Sequence, residues 1–322
     1  MEVMRAIEFD GSGHAAEVAM PDGVPVLPDH GFLWVQLLGE PEAVDGWLVR
    51  AGLDPLSVAA LTVEEARPRC TVHEGNILMN LRGVNLSPGA EPEDMVSIRF
   101  YLSDRLVVSL QRRRLYAVQD TQGEAITGSA ADSPGELVAR IALRLADRAE
   151  PVVMALNERI DDLEDAVLDE TDTPARADLA NIRRMAIMLR RFMAPQRDAL
   201  STLDIEEAGW LHRSSRGRLR EATERMTRLS EELDSIRDRA QVVRDQIVDM
   251  RAEAMNRQML VLSVVAALFL PLGLITGLLG INVGGIPGEE VGWAFWAVCG
   301  LLLVAAAGQL WLFRRMGMIG RK

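Results

Sequence analysis

Near the C-terminus, Leu260 to Leu279 reads LVLSVVAALFLPLGLITGLL, twenty residues without Asp, Glu, Lys, Arg or His. At about 1.5 Å per residue, a helix of this length covers roughly 30 Å, the thickness of a bilayer's hydrocarbon core. A second uncharged run, Val291 to Phe313, begins after only eleven residues. Two spans joined by so short a loop have to form a membrane hairpin. Core helices of soluble proteins seldom stay uncharged for so long, and a soluble domain would not need two of them side by side.

Charge orients the hairpin. Arg251 and Arg257 precede the first span, and Arg314, Arg315, Arg321 and Lys322 follow the second. The connecting loop holds no Lys or Arg and carries Glu289 and Glu290. By the positive-inside rule, both termini are expected in the cytoplasm and the loop outside. Trp293 and Trp296 at one end of the second span, and Trp311 at the other, suit interfacial aromatic belts. The formal net charge of −12 argues against nucleic acid as a partner, since phosphate binding wants a basic surface. Cys70 and Cys299 make no disulfide framework, and His14, His30, His73 and His212 lack ligand spacing. No structural zinc site and no cleavable signal peptide are expected. Nor does a nucleophile–base pair or phosphate loop suggest an enzyme.

The expected architecture is an α+β membrane protein in four parts. Residues 1–132 form a cytosolic mixed α/β domain, 133–202 a helical hairpin, 203–259 a stalk helix, and 260–322 the two-span membrane hairpin. Within the first part, Gly31–Leu38, Arg69–His73, Asn76–Leu81, Met95–Leu102 and Leu106–Gln111 read as strands, the last two joined through Ser103-Asp104-Arg105. Pro41–Ala51 and Asp54–Leu61 read as helices. Arg112-Arg113-Arg114 reads as a solvated edge or an ion pair between copies, with an anion site as the alternative. Ser133-Pro134 opens a helix expected to run to about Glu170, with an interruption allowed near Pro151. Its second half is acidic from Glu158 to Asp172, and Thr173-Pro174 caps a basic helix running to about Leu200. The pair suggests an antiparallel hairpin of opposed charge. The acidic run reads as a solvated face, or else as a regulatory site for divalent cations.

The stalk carries two rows. Leu219, Ala222, Met226, Leu229, Leu233, Ile236, Ala240, Val243, Ile247, Met250 and Ala254 recur at spacings of three and four, an apolar stripe that packs on other helices. A different face carries Glu231, Asp238, Asp245, Asp249 and Asn256. The same spacing enters the span through Met259, Ser263, Ala266, Leu270, Gly273 and Gly277 and reaches Gly280 and Asn282. Drift of about 20° per heptad blurs the far ends of this row. It is acidic in the cytosol, small or apolar in the bilayer, and ends on an amide. A cation pathway needs that sequence of environments. Leu270 or Met259 could gate by dewetting, and Pro271 should kink or loosen the helix beside them. Gly273 and Gly277 suit pore lining and small-residue helix packing equally.

Gly280-Ile281-Asn282 ends the first span within Gly-Ile-Asn-Val-Gly-Gly-Ile-Pro-Gly288. Placed there, after a long charged helix, it resembles the Gly-x-Asn signature of the two-span CorA superfamily of divalent-cation transporters. The wider string, with Arg82-Gly-Val-Asn-Leu-Ser-Pro-Gly-Ala-Glu-Pro-Glu-Asp-Met-Val-Ser97, resembles the ZntB zinc-transporter branch. The resemblance implies a homopentamer in the inner membrane, with five first spans around one axis. Gly280 carbonyls and Asn282 amides would then hold a hydrated cation transiently, without a tight metal site, and Glu289 and Glu290 would concentrate cations at the mouth. It implies zinc uptake, with proton coupling as one option. The spans hold no carboxylate, Lys or His to relay protons, so coupling would have to use Glu289, Asp245 or Asp249. A CorA-type magnesium, cobalt or nickel channel is the alternative. A two-span receptor or scaffold is the rival from another class.

Overall fold

The computed structural model describes residues 3–20, 22–64, 67–168, 176–281, 286, 288 and 291–317. The chain divides into two units, Met1–Arg244 and Asp245–Lys322.

The first unit is built on a seven-stranded sheet. Strands β1 (Val3–Phe9) and β2 (Ala15–Val18) pair antiparallel. The Asp10 carboxylate holds the turn between them, accepting from the backbone N–H groups of Ser12 and His14. β3 (Phe32–Leu38) follows, then helices α1 (Pro41–Arg50) and α2 (Pro55–Thr62). β4 (Arg69–His73), β5 (Asn76–Gly83), β6 (Val96–Leu102) and β7 (Leu106–Gln111) form a meander. The strand order is β2-β1-β3-β7-β6-β5-β4, and only β3 and β7 run parallel. The two helices between β3 and β4 supply part of the long connection that a parallel pair requires.

Both faces of this sheet are covered, which is why Phe32 to Leu37 are buried without alternation. On one face Leu33, Val35, Leu37, Val108 and Leu110 pack with Val44, Trp47 and Leu48 of α1 and Val58 and Leu61 of α2. On the other, Phe9 stacks on Phe32 at 4.4 Å, and the Trp34 indole donates to the Ser109 hydroxyl at 2.9 Å. The expected strands and both helices are present within one or two residues of their expected ends. Ser103 closes the β6–β7 turn through its N–H to the Leu106 carbonyl.

Three elements exceed the sequence expectation. β1 buries Ala6, Ile7 and Phe9, and β2 buries no residue. Helix α3 (Tyr116–Ile126) contains Gly123 and Thr121, weak helix formers that its contacts with α4 override.

Helix α4 (Pro134–Leu168) begins where Ser133-Pro134 places it, with the Glu136 N–H donating to the Ser133 hydroxyl at 3.3 Å. Pro151 does not interrupt it. The missing N–H and the ring fall on an exposed side of the helix, and packing on either side of the proline sustains it. The expected continuation through Asp169, Glu170 and Asp172, and the Thr173-Pro174 cap, lie outside the described residues. α5 (Arg176–Ile205) extends five residues past Leu200, and α6 (Arg213–Leu279) is a single helix of 67 residues. The acidic side of α4 corrects the opposed-charge picture. Asp161 and Glu164 pair with Arg239 of α6 rather than with arginines of α5. Glu164 takes the Arg239 Nε–H at 2.8 Å, and its hydrogen bonds, with those of Asp161, push that guanidinium's pKa up.

The apolar stripe of α6 is buried from Leu219 through Ile247. Each large side chain on it contributes about 1.5–3 kcal/mol by leaving water. Met250 and Ala254, expected to continue it, are exposed.

In the second unit, α6 continues through Pro271 to Leu279, and α7 (Ala294–Arg315) follows. Both carry windows long and apolar enough to cross a membrane, and none of either window is buried. Leu262, Leu270, Leu303 and Val304 are each about 70% exposed. Side chains of this kind are stable there only in a non-aqueous solvent.

Candidate functional site

The row along α6 is best taken unit by unit. In the first, Glu231 and Asp238 are exposed, while Leu229, Leu233, Ile236 and Ala240 around them are buried. At about 100° per residue, this acidic face lies roughly opposite the buried stripe. Asp238 accepts from Arg237 at 2.8 Å. Beside it, Asp234 pairs with both Arg190 of α5 and Arg237. These two carboxylates therefore differ in role: Asp234 ties α6 to α5, and Asp238 faces outward. Sequence spacing could not separate them, because the choice depends on where α5 runs.

In the second unit Asp245, Asp249, Asn256, Met259, Ser263, Ala266, Leu270, Gly273 and Gly277 are all exposed. They share a broad face whose angular position drifts along the helix, as the heptad mismatch dictates. Nothing in a single chain brings them around an axis. Three further sequence-derived site residues, Asn282, Glu289 and Glu290, lie outside the described residues.

The end of α6 is well defined up to that point. The Gly280 N–H donates to the Thr276 carbonyl at 2.9 Å and the Gly277 carbonyl at 3.2 Å, closing the last turn. The Thr276 hydroxyl adds bonds to the Leu272 and Gly273 carbonyls at 3.0 and 3.1 Å. A Cβ at position 280 would stand 3.1 Å from the Thr276 carbonyl oxygen, tighter than ordinary contact. Ile281 follows, exposed. Beyond the two carbonyls that the Gly280 N–H meets, a helix end has no further turn to bond its last carbonyls, and it carries the negative end of the helix dipole. Chemically, this end can offer oxygen atoms to a cation or its hydration water.

At the other end of the second span, Trp311 carries Arg315 over its ring at 5.4 Å. Trp293 and Trp296 are largely exposed at the start of α7, with Phe295 edge-on to Trp296 at 5.5 Å. Aromatic rings therefore cluster at both ends of α7, where a span would meet two membrane–water interfaces.

Among the described residues, no three His, Cys, Asp or Glu side chains converge as a metal site. Of the acidic α4 residues considered for a regulatory cation, Asp161 and Glu164 pair with Arg239. The ion pairs that hold α6 to its neighbours were missed from sequence.

Comparison with known proteins covers the chain nearly end to end. A family model described as CorA-like Mg2+ transporter protein matches residues 29–315. The zinc transport protein ZntB of Pectobacterium carotovorum is 34% identical over 313 residues, 97% of this chain and 94% of its own. The divalent cation transporter CmaX of Pseudomonas aeruginosa is 39% identical over 295 residues, 90% of this chain and 88% of its own. The solved structure of full-length CmaX superposes with a TM-score of 0.80 at 35% identity, covering 97% of this chain and 96% of that one.

Proposed function

The chain belongs to the CorA-like Mg2+ transporter family, and we infer that it carries divalent metal cations across a membrane, with zinc the cargo. The observation that carries this reading is α6 itself. One helix bears an outward acidic face, then twenty uncharged and uncovered residues, then a glycine-closed end. A receptor or scaffold would need the apolar helices but neither the acid nor the oxygen-lined end.

A lone pair of spans encloses no path, so the transporting species is a ring of identical chains, which we propose to be a homopentamer in the inner membrane with both termini cytoplasmic. In such a ring Glu231, Asp238, Asp245 and Asp249 become stacked acidic rings that raise local cation concentration. Met259, Ser263, Ala266, Leu270, Gly273 and Gly277 line the narrow part, with Leu270 or Met259 as the apolar gate. Gly280, Ile281 and Asn282 form the mouth, and Glu289 and Glu290 feed it. The site uses oxygen atoms and water rather than thiolate or imidazole, so the metal passes without a tight resting place. No group within the spans can relay protons; coupling, if present, runs through the carboxylates outside them.

Metal uptake into proteoliposomes tests this directly, with zinc, magnesium, cobalt and nickel compared with and without a pH gradient. Zinc uptake above protein-free vesicles is expected. Preference for magnesium over zinc would move the chain to the alternative cargo, and no flux of any of the four metals would remove the transport reading.

A further inference from the structure

The first unit contains a cavity of about 460 Å³ that the transport reading does not use. Four guanidinium groups line it: Arg67, Arg82, Arg113 and Arg191. Their elements are far apart in the chain. Arg67 precedes β4, Arg82 is on β5, Arg113 follows β7, and Arg191 is on α5. Folding therefore gathers guanidinium groups from four segments at one place.

The cavity is organised as well as charged. The Arg82 backbone N–H donates to the buried Gln196 side chain at 2.6 Å, and its guanidinium donates to the Met95 carbonyl at 3.1 Å. The same group lies over the Phe192 ring at 4.2 Å, with Arg191 at 5.7 Å from that ring. The Arg67 carbonyl is held by the Asn80 amide at 3.1 Å. Arg67 and Arg113 are exposed and have no ion pair among the described residues.

Two carboxylates share the lining, Glu93 and Asp94. Glu93 is 2% exposed and pairs through Oε1 with Arg184 at 2.9 Å. Its Oε2 is buried without a hydrogen-bond partner. Leaving such an oxygen unmet is costly, and a hydroxyl donor arriving with a ligand would meet it. Nearby, burial first and then Arg112 and Arg82 hold the Arg99 guanidinium down at about 10. Positive charge is concentrated at this end of the sheet.

We propose that this cavity binds a phosphate-bearing anion, with Arg67, Arg82, Arg113 and Arg191 around the phosphate oxygens and Glu93 Oε2 accepting from an O–H of the ligand. Planar guanidinium forks match phosphate oxygens two at a time, and a multiply charged group is what a surplus of arginines neutralises. The ligand is either a free oxyanion or a phosphate ester, and both present the same chemistry to the arginines. The site lies within the first unit and makes no demand on the membrane helices.

The test uses full-length protein in detergent with a chelator present, so that no divalent metal intervenes. Calorimetric titration with pyrophosphate and with ADP, at ionic strength matched by chloride, is expected to show saturable binding of at least one. Tighter pyrophosphate identifies a free oxyanion, and tighter ADP identifies an ester. Arg113→Gln and Arg191→Gln should each weaken binding about tenfold, as loss of a charge-assisted hydrogen bond does. Arg114→Gln, whose side chain lines a different pocket, should leave it unchanged. The proposal is overturned if neither compound binds above chloride, or if the two cavity variants bind as wild type does. It is equally overturned if those variants change oligomer size with no bound anion in wild type, because the arginines would then serve contacts between copies. Metal flux is not the readout, so failure here leaves the transport reading standing.

Discussion

Asp10 holds the β1–β2 turn with an oxygen count that its sequence neighbours allow but do not require. Its carboxylate accepts from the Ser12 hydroxyl at 2.6 Å and from two backbone N–H groups. These bonds, the hydroxyl's first, hold its pKa down at about 2. A carboxyl depressed in the folded state stabilises above its ordinary pKa of 3.8 and loses that contribution as pH falls toward 2. Asp10→Asn should therefore lower the melting temperature near neutral pH, with the gap to wild type closing between about pH 4 and pH 2. A constant gap across that range would show that the carboxylate's charge is not what holds the turn. At the other end of the chain, Asn282 is the only side-chain amide in the Gly-Ile-Asn motif. Asn282→Ala is expected to abolish metal flux while expression and oligomer size stay at wild-type values. Undiminished flux would remove the amide from the pathway.

Helix α6 is the element on which two requirements meet. Its buried stripe faces protein, and its acidic row faces away. Asp245 and Asp249 are the acidic members of the row nearest the uncharged run, so heptad drift displaces them least from the membrane part of the row. In a ring of chains each position becomes a circle of like charges, which divalent cations relieve. Replacing both with Asn should reduce transport most at low ionic strength and less at high salt, where screening already weakens the wild-type attraction. Equal transport at every salt concentration would place both residues on the outside of the ring. The partners of α6 set a limit on how freely it can move. Arg239 to Asp161 and Glu164, Arg190 to Asp234, and Arg225 to Asp147 join it to α4 and α5.

For the whole molecule the unmet surface is the decisive quantity. Two apolar helices without a buried window cannot remain in water, and the acidic face of the stalk has no described element over it. A bilayer answers the first, and on the proposed ring symmetry-related copies would face one another across the second. Purified protein in detergent should run as a closed homo-oligomer, of five chains on the family resemblance. Mass measurement by light scattering with the detergent contribution subtracted checks it. A monodisperse monomer that still carries metal would overturn the ring.

Sequence alone determined what depends on local order. Twenty uncharged residues, three-and-four spacing along the stalk, Ser133-Pro134 at a helix start and β-rich runs bounded by turn residues are written in neighbouring residues, since each reflects the local preference or surroundings of a short segment. The Gly-Ile-Asn ending and its setting pointed to the family on the same basis. Tertiary structure decided whatever depends on residues distant in the chain. The parallel β3–β7 pair places β1 and β2 beside the central strands rather than at the meander's end. At position 83 a Cβ would stand 2.7 Å from a Leu145 methyl on α4 and 2.8 Å from a Leu115 methyl, so a glycine there lets these side chains pack close on β5. Arg239 chooses the acids of α4, and arginines from four segments surround one cavity. Charge attracts across space without regard to sequence distance, so composition counted those arginines and acids while only the fold could assign their partners.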